Sequence, residues 1–518
     1  MFKQVMLALA LSLTAGLLHA AQPRRIAIDA QGASVARDRF ADLSVGSDFP
    51  GTLIRDDSLA QLQIVQNELG FRYVRFHAIF HDVLNTYTEG DGKAAYDWSR
   101  IDYLYDHLLK IGIKPFVELG FTPQAMKSSE QTVFFWKGNT SHPDPAKWTA
   151  LVDAFVRHLE ARYGREEVRS WYFEVWNEPN LAGFWEGADQ LAYFELYERT
   201  ARAIKNIDAQ LLVGGPSTAG AAWVPEFIRY AEKTGAPLDF ITTHTYGVDG
   251  GFLDENGVAD TKLSSSPDAI VADVRNVRQQ ISASAHPGLP LFFTEWSTSY
   301  TPRDPVHDSY ISAAYILSKL KSSEGMVQGM SYWTFSDLFE EPGPPTAPFQ
   351  GGFGLLNPQG IRKPAFFAYK YLHQLGDASI ATRDTQSYVT RQGKALQVLA
   401  WDYRAPIQNK TNRTFFTTVL PTRETSPLEL DFERLAPGRY TAAIYRTGFR
   451  ANDAYTAYLE MGSPKTLTDA QLQSLQALTQ DLPERRPIRI PRSGRGKLTL
   501  PMREYDLVLV KLLPDERQ

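Results

Sequence analysis

Short apolar runs alternate with longer amphipathic stretches between residues 41 and 377. The runs are rich in Val, Ile, Phe and Tyr and have the length of strands. The stretches, such as 99–112 and 145–164, carry apolar residues at the helical spacing of i, i+3, i+4 and i+7. Strands are predicted at 41–46, 73–77, 114–120, 171–178, 211–215, 240–246, 291–297 and 330–337. The pattern therefore predicts eight consecutive strand–helix units.

Eight such units favour an α/β fold in which helices surround a closed barrel of parallel strands, the (β/α)8 or TIM barrel. Parallel strands that are covered on both faces are apolar throughout, as these runs are. A doubly wound open sheet is the alternative, and it predicts a glycine-rich phosphate-binding turn after the first strand. The sequence has no such turn after 41–46, so we expect a barrel over residues 41–377.

Beyond residue 377 the apolar residues alternate with period two between turn residues. Strands are predicted at 387–391, 395–403, 414–420, 428–432, 439–446 and 505–513, with one helix at 469–479. This alternation is typical of antiparallel sheets that have one face in a core, so residues 378–518 are predicted to form a C-terminal antiparallel β-sandwich. The run 25–30 alternates in the same way, and we expect residues 21–40 to pair with the sandwich.

The first 20 residues have the organisation of a signal peptide. Lys3 supplies a positive charge, residues 5–18 are apolar, and Ala20 and Ala21 are small residues suited to cleavage. A buried N-terminal helix is the alternative. We expect export to the periplasm or the medium. The sequence has no cysteine, which excludes disulfides, thiol nucleophiles and thiolate metal ligands.

The overall charge indicates no polyanionic partner. The formal net charge is −5 over 518 residues, so neither nucleic acid nor an anionic membrane surface is expected as a partner. No apolar run beyond the predicted signal peptide approaches the length of a membrane span. A monomer is favoured over a homo-oligomer.

Two glutamates, 117 residues apart, lie at the ends of predicted strands: Glu178 in WYFEVWNEPN and Glu295 in LFFTEWSTSY. The carboxyl ends of barrel strands meet at the catalytic face, so the fourth and seventh strands can bring these carboxylates together. Cleavage of a glycosidic bond requires such a pair. Salt-bridged rim residues are the alternative. Glu174 and Glu118 are rival strand carboxylates, and Glu118 is the stronger rival because it lies near a strand end.

The strings FEVWNEPNL, FTEWSTSY, SYWTFSDLFEE and GGFGLLN, in this order, resemble glycoside hydrolase family 39. This is a family of retaining β-D-xylosidases and α-L-iduronidases with catalytic glutamates on strands four and seven. NEP alone marks only the wider clan, whereas the four strings together are specific. The resemblance covers the predicted barrel and the sandwich.

The resemblance implies that Glu178 is the general acid/base and Glu295 the nucleophile. It implies a sugar-binding site that includes His77, Phe121, Asn177, His244, Tyr246, Tyr300, Trp333, Glu340 and Glu341. In this site Tyr300 is expected to bond the nucleophile, Trp333 to lie under the sugar, and Glu340 and Glu341 to bind hydroxyls. His77, His244 and Trp333 could instead be core residues, Asn177 a turn residue, and the two glutamates solvent-facing.

We expect an exo-acting β-D-xylosidase that releases xylose from xylo-oligosaccharides by double displacement. The carboxylates should then lie about 5–5.5 Å apart, and no metal or organic cofactor is required. The acidic pair Glu340 and Glu341 favours a neutral pentose over a uronate, which it would repel. The alternatives are an α-L-iduronidase-like enzyme, an endo-acting exopolysaccharide hydrolase and a non-catalytic carbohydrate-binding protein.

Overall fold

The computed structural model describes residues 22–91 and 93–515. The predicted signal peptide therefore lies outside the described residues. No helix in the described ranges is both long enough and apolar enough to cross a bilayer.

Eight parallel strands close into a barrel. They are β1 (Ser44–Gly46), β2 (Tyr73–Phe76), β3 (Lys114–Leu119), β4 (Tyr172–Val175), β5 (Leu212–Thr218), β6 (Phe240–Tyr246), β7 (Leu291–Ser297) and β8 (Gly329–Tyr332). Each strand pairs in parallel with the next, and Tyr332 of β8 pairs with Val45 of β1 to close the ring. The strands are buried on both faces, which explains their continuous apolar runs.

Eight helices follow the strands. They are α1 (Asp56–Leu69), α2 (Ser99–Lys110), α3 (Pro145–Tyr163), α4 (Gln190–Ile207), α5 (Val224–Thr234), α6 (Val271–Ser282), α7 (Ile311–Ser323) and α8 (Pro364–His373). Local sequence sets several of their ends. The Asp144 side chain accepts hydrogen bonds from the first amides of α3, and Gly70 ends α1 in the left-handed conformation. The predicted (β/α)8 barrel is confirmed.

Short hairpins and helices lie outside the eight strand–helix units, in the barrel loops and in the C-terminal region. The hairpins are Tyr87–Gly90 with Lys93–Tyr96, Thr132–Val133 with Gly138–Asn139, and Val248–Leu253 with Ala259–Leu263. Short helices lie at Pro50–Leu53, Arg165–Val168, Asn412–Phe415, Ala454–Glu460 and Asp469–Ala477. The last of these is the helix predicted at 469–479.

The C-terminal region contains two sheets that pack face to face. One has seven antiparallel strands in the order Ser34–Ala36, Ala378–Ile380, Ser387–Gln392, Ala395–Trp401, Leu507–Pro514, Gly438–Thr447 and Glu484–Ile490. The other has three strands in the order Arg24–Asp29, Leu428–Glu433 and Gly496–Leu500. The apolar residues between the sheets, among them Ile28 and Val398, form one cluster. The predicted sandwich is confirmed, although its N-terminal strand runs parallel to Leu428–Glu433.

One predicted strand is wrong. Residues 414–420 are rich in Thr and Phe, yet the chain forms the short helix Asn412–Phe415 there. The Asn412 side chain accepts a hydrogen bond from the Leu263 amide and donates one to Asp304, while Phe416 packs into the core of the barrel. These tertiary contacts override the local strand propensity.

Candidate active site

Glu178 and Glu295 converge at the carboxyl end of the barrel. Glu295 belongs to β7, and Glu178 lies three residues beyond the end of β4. One carboxylate oxygen of each residue and a ring nitrogen of His244 lie within 4.8 Å of one another. Both glutamates are buried. The spacing is that of a retaining glycosidase, because inverting enzymes separate the two carboxyl groups by about 6.5–9.5 Å to admit a water molecule.

The chain leaves the strand geometry where it reaches Glu178. Trp176 and Glu178 both have positive φ values, 71° and 48°, and the amide of Glu178 bonds to the carbonyl of Ser217 on β5. A regular pleat would send Asn177 and Glu178 to opposite faces. The irregular backbone brings both side chains to the same cavity. Left-handed backbone at non-glycine residues is strained and is concentrated at functional sites.

Both oxygens of Glu295 have a hydrogen-bond donor. Arg75 on β2 contacts Oε1 through Nη1 at 2.8 Å, and the Tyr246 hydroxyl donates to Oε2 at 2.7 Å. Burial raises the pKa of Tyr246 well above its ordinary value, so the hydroxyl keeps its proton. The carboxylate is therefore oriented from two sides before a substrate arrives.

Arg75 connects Glu295 to two further carboxylates. Its Nε lies 2.5 Å from Glu174, and its Nη2 lies 3.0 Å from Glu118 and 2.9 Å from the amide oxygen of Asn177. Burial opposes a charged guanidinium, but the carboxylates outweigh this effect and raise the pKa of Arg75. Glu118 and Glu174 thus support the reacting pair rather than form it. Arg75 is not among the residues predicted from the sequence, although an arginine inside the apolar strand YVRFH is an unusual feature.

His77 is the second positive group of the site. Its Nδ1 lies 2.7 Å from Glu118, and its Nε2 lies 3.2 Å from Glu341 and 3.7 Å from Glu295. Burial favours the neutral ring, but Glu118, Glu341 and Glu295 together outweigh burial and raise the pKa of His77 well above its ordinary value. The ring also lies 4.6 Å from the centroid of Trp333. His77 is thus a buried imidazolium at the inner end of the cavity.

The other site histidine is uncharged. Burial lowers the pKa of His244 to about 4, and its Nδ1 lies 2.9 Å from Oε1 of Glu178. Burial also raises the pKa of Glu178 to about 7, against the opposing charges of His77 and Arg75. Glu178 therefore carries a proton near neutral pH, as a general acid must.

A cavity of about 590 Å³ opens in front of the two glutamates. Its described lining includes four acidic residues, Glu178, Asp273, Glu295 and Glu341, and no Lys or Arg. A larger cavity of about 1380 Å³ lies at one end of the sandwich. That cavity is lined by arginines and a single described carboxylate, Asp515, so it lacks the paired acids that define the chemistry.

Six predicted binding residues line the smaller cavity, namely His77, Asn177, Tyr246, Tyr300, Trp333 and Glu341. Tyr300 stands at the rim with half of its surface exposed. The hydrogen bond to the nucleophile that was expected of Tyr300 is made by Tyr246 instead. His244 lies beneath the lining, against Glu178.

Two predicted binding residues do not reach the cavity. Glu340 forms a 2.9 Å ion pair with Arg55, and its amide bonds to Asp48, so its side chain points away while that of Glu341 points in. Phe121 is buried behind His77, with 6.3 Å between the ring centroids, and supports that ring rather than the sugar. Further lining residues, which were not predicted from the sequence, are Phe134, Asn180, Leu181, Phe184, Ala219, Gly220, Thr245, Val248, Asp273 and Phe353.

The trio of Glu178, His244 and Glu295 also has the spacing of a metal site. These three residues are far apart along the chain, so their spacing in the sequence does not indicate a ligand cluster. Two carboxylates this close are what double displacement requires in any case, and that chemistry needs no metal.

Comparisons with known proteins agree with this geometry. The model of the family described as "Glycosyl hydrolases family 39" matches residues 24–497. A "Beta-xylosidase" of Geobacillus stearothermophilus is 42% identical over 356 residues, which cover 67% of this chain and 70% of that protein.

Two solved structures are similar over nearly the whole chain. The family 39 enzyme of Xanthomonas axonopodis pv. citri is 59% identical, with a TM-score of 0.95, covering 97% of this chain and 100% of that one. A structure described as a monomeric beta-xylosidase from Caulobacter crescentus CB15 is 63% identical, with a TM-score of 0.93, covering 95% of this chain and 99% of that one. The chain belongs to glycoside hydrolase family 39.

Proposed function

We propose that this protein is a retaining β-D-xylosidase that releases xylose from the non-reducing ends of xylo-oligosaccharides. The observation that carries the proposal is the pair of buried carboxyl groups within 4.8 Å, one of which is protonated near neutral pH because burial raises its pKa. The Geobacillus and Caulobacter relatives are both named beta-xylosidase, which supports the same substrate class.

The geometry supports a two-step reaction. In the first step Glu295 attacks the anomeric carbon while Glu178 donates its proton to the glycosidic oxygen, which leaves with the rest of the substrate. A covalent glycosyl-enzyme ester of inverted configuration results. In the second step Glu178, now a carboxylate, takes a proton from water as the water attacks the same carbon and displaces Glu295. Two inversions give net retention, and Glu178 regains its proton.

The charge of the cavity favours a neutral sugar over a uronate. Four acidic residues and no described Lys or Arg line it. The one positive group of the described lining, the His77 imidazolium, already contacts Glu118 at 2.7 Å and Glu341 at 3.2 Å, so a substrate carboxylate would meet the Glu295 anion without a free cation to bind it. An iduronidase-like enzyme requires a positive group in the cavity that is free to bind the carboxylate of the uronate. Glu341 adjoins the His77 imidazolium at 3.2 Å and is placed to bind a sugar hydroxyl.

The closed inner end of the cavity supports exo action. His77, Trp333 and Phe353 line this end and are each no more than 2% exposed. A chain threaded through the site would have to continue past them. Cleavage of single residues from the non-reducing end is therefore favoured over cleavage within a polymer.

Azide rescue tests the roles of the two glutamates. Glu295→Ala should lose turnover of 4-nitrophenyl β-D-xyloside and, with azide, form the inverted α-xylosyl azide. Glu178→Ala should instead form β-xylosyl azide, because its nucleophile remains and azide replaces water in the second step. Glu174→Gln is the control, since it alters a buried glutamate outside the cavity and should give no glycosyl azide. If neither Glu295→Ala nor Glu178→Ala changed the turnover of any glycoside, the protein would be a carbohydrate-binding protein instead.

We also propose that residues 1–20 direct export and that the mature protein is a monomer. The apolar run after Lys3 supports the first proposal, and the description of the Caulobacter relative supports the second. N-terminal sequencing of the exported protein should begin near Ala21 or Gln22. Light scattering should give the mass of one chain, and the mass of a dimer would refute the second proposal.

A further inference from the structure

The lining of the active-site cavity has a buried end and an exposed mouth. Trp333 and Phe353 at the buried end are each 2% exposed, whereas Leu181 and Tyr300 are 38% and 51% exposed. The reacting carbon must lie between Glu178 and Glu295. The sugar that is transferred therefore occupies the buried end, and the leaving group extends through the mouth.

Asp273 is a half-buried acidic residue in the lining of this mouth. It lies in the first turn of α6, and its Oδ2 accepts a 2.5 Å hydrogen bond from Thr245 on β6. Thr245 stands between His244 and Tyr246, so the same strand that contacts both catalytic glutamates also positions Asp273. No Lys, Arg or His of the described residues lies within 4.0 Å of the Asp273 carboxylate.

The other residues of the mouth carry no charge. Leu181 and Phe184 are apolar, and Gly220 has no side chain. The Asn180 side chain is already engaged, because it accepts a 2.9 Å bond from the amide of Ala219 and donates a 3.0 Å bond to its carbonyl. Asp273 is therefore the mouth residue whose charge a leaving group meets.

We propose that Asp273 selects the leaving group: the mouth accepts a neutral sugar and rejects one that carries a carboxylate, such as a uronic acid. This inference rests on the proposed xylosidase function and specifies the unit beyond the scissile bond. Thr245 bonds one oxygen of Asp273, which leaves the other to accept a hydroxyl of a neutral sugar. A carboxylate on the leaving group would lie near the negative charge of Asp273, with no described cation beside it. Such repulsion produces specificity because it weakens the binding of the charged substrate.

The test compares two substrates that differ in one charge, 4-carboxyphenyl β-D-xyloside and its methyl ester. The measured quantity is the ratio of kcat/KM for the acid to kcat/KM for the ester. Asp273→Asn should raise this ratio by about tenfold, as expected for removing a like charge at roughly 6 Å in an intermediate dielectric. The amide oxygen of Asn still accepts the Thr245 bond, so the local structure is kept. High salt should raise the wild-type ratio but leave that of Asp273→Asn nearly unchanged.

Asp268→Asn is the matched control. Asp268 precedes α6, pairs with Arg275 at 3.3 Å and lies outside the cavity, so its substitution should leave the ratio within twofold. An unchanged ratio in Asp273→Asn would overturn the inference, as would an equal loss of activity on both substrates. These outcomes are distinct from failure of the proposed function, in which the wild-type protein would hydrolyse neither xyloside.

Discussion

The hydroxyl of Tyr246 donates a 2.7 Å hydrogen bond to Oε2 of Glu295. The two residues belong to the neighbouring strands β6 and β7, whose register shifts by one residue between Thr243 and His244. Because the donor and the acceptor both lie on strands, the barrel itself sets the direction of the nucleophile.

Tyr246→Phe should therefore impair the chemical step while leaving the fold intact. A hydrogen bond to a charged group contributes about 1.5–3 kcal/mol, so kcat for an aryl xyloside should fall by about 10- to 100-fold. Steady-state kinetics would measure this loss, and circular dichroism would verify the fold.

Tyr300→Phe is the matched control for that substitution. Tyr300 also lines the cavity, but its hydroxyl makes no hydrogen bond with Glu295 among the described contacts. Its kcat should change by less than about threefold. A larger loss in Tyr300→Phe than in Tyr246→Phe would restore the role that family resemblance gave to Tyr300.

The pKa of Glu178 predicts the alkaline limit of activity. Burial raises this pKa to about 7, and the reaction requires the protonated form. For xylobiose, kcat/KM should therefore fall about tenfold for each pH unit above roughly pH 7. The leaving group of 2,4-dinitrophenyl β-D-xyloside needs no proton, so its glycosylation rate should lack this alkaline limb. An alkaline limb of equal size for both substrates would contradict the assignment.

Arg75 should be essential for stability because it is buried among carboxylates. Arg75→Met would leave Glu118, Glu174 and Glu295 without their shared cation, and breaking a buried ion pair in this way costs about 3–5 kcal/mol. Urea denaturation monitored by tryptophan fluorescence would measure the free energy of unfolding. Arg157→Met, which removes a solvent-exposed pair with Asp153, should cost less than about 1 kcal/mol. Equal losses in the two variants would refute the role of Arg75.

The strands that could be predicted from the sequence are those whose residues are buried in a regular pattern. Strands β6 and β7 have the predicted bounds, and every barrel strand was found, because parallel strands buried on both faces leave an unmistakable apolar run. Glu178 and Glu295 could be predicted for the same reason, because an acidic residue is unusual at the end of a buried apolar strand. Edge strand Glu484–Ile490 was missed because its run of Arg and Pro residues is largely exposed and carries no clear alternation.

The remaining errors concern side-chain direction, which depends on contacts that are remote in sequence. Glu340 and Glu341 are adjacent and chemically identical, and only the partners Arg55 and His77 decide which one faces the cavity. The function of Arg75 likewise depends on acids that lie 43, 99 and 220 residues away, namely Glu118, Glu174 and Glu295. No pattern in a single sequence specifies such contacts between residues that are far apart along the chain.

The raised pKa of Glu178 also predicts that ionisation of this residue destabilises the folded protein as the pH rises to neutrality. Its pKa is about 7 in the fold and 4.5 in the reference state, so the folded chain keeps a proton that the unfolded chain releases between these values. Stability is therefore lost as the pH rises from about 4.5 to about 7 and stays low above that range.

Glu178→Gln mimics the protonated acid and removes this loss. The variant should gain about 2–3 kcal/mol more stability relative to wild type at pH 8 than at pH 5, measured by urea denaturation. Glu166→Gln, at a glutamate whose side chain is 89% exposed, is the control and should show a similar effect at both pH values. If the gain of Glu178→Gln did not depend on pH, the carboxyl group would not be protonated in the fold, and its assignment as the general acid near neutral pH would fail with it.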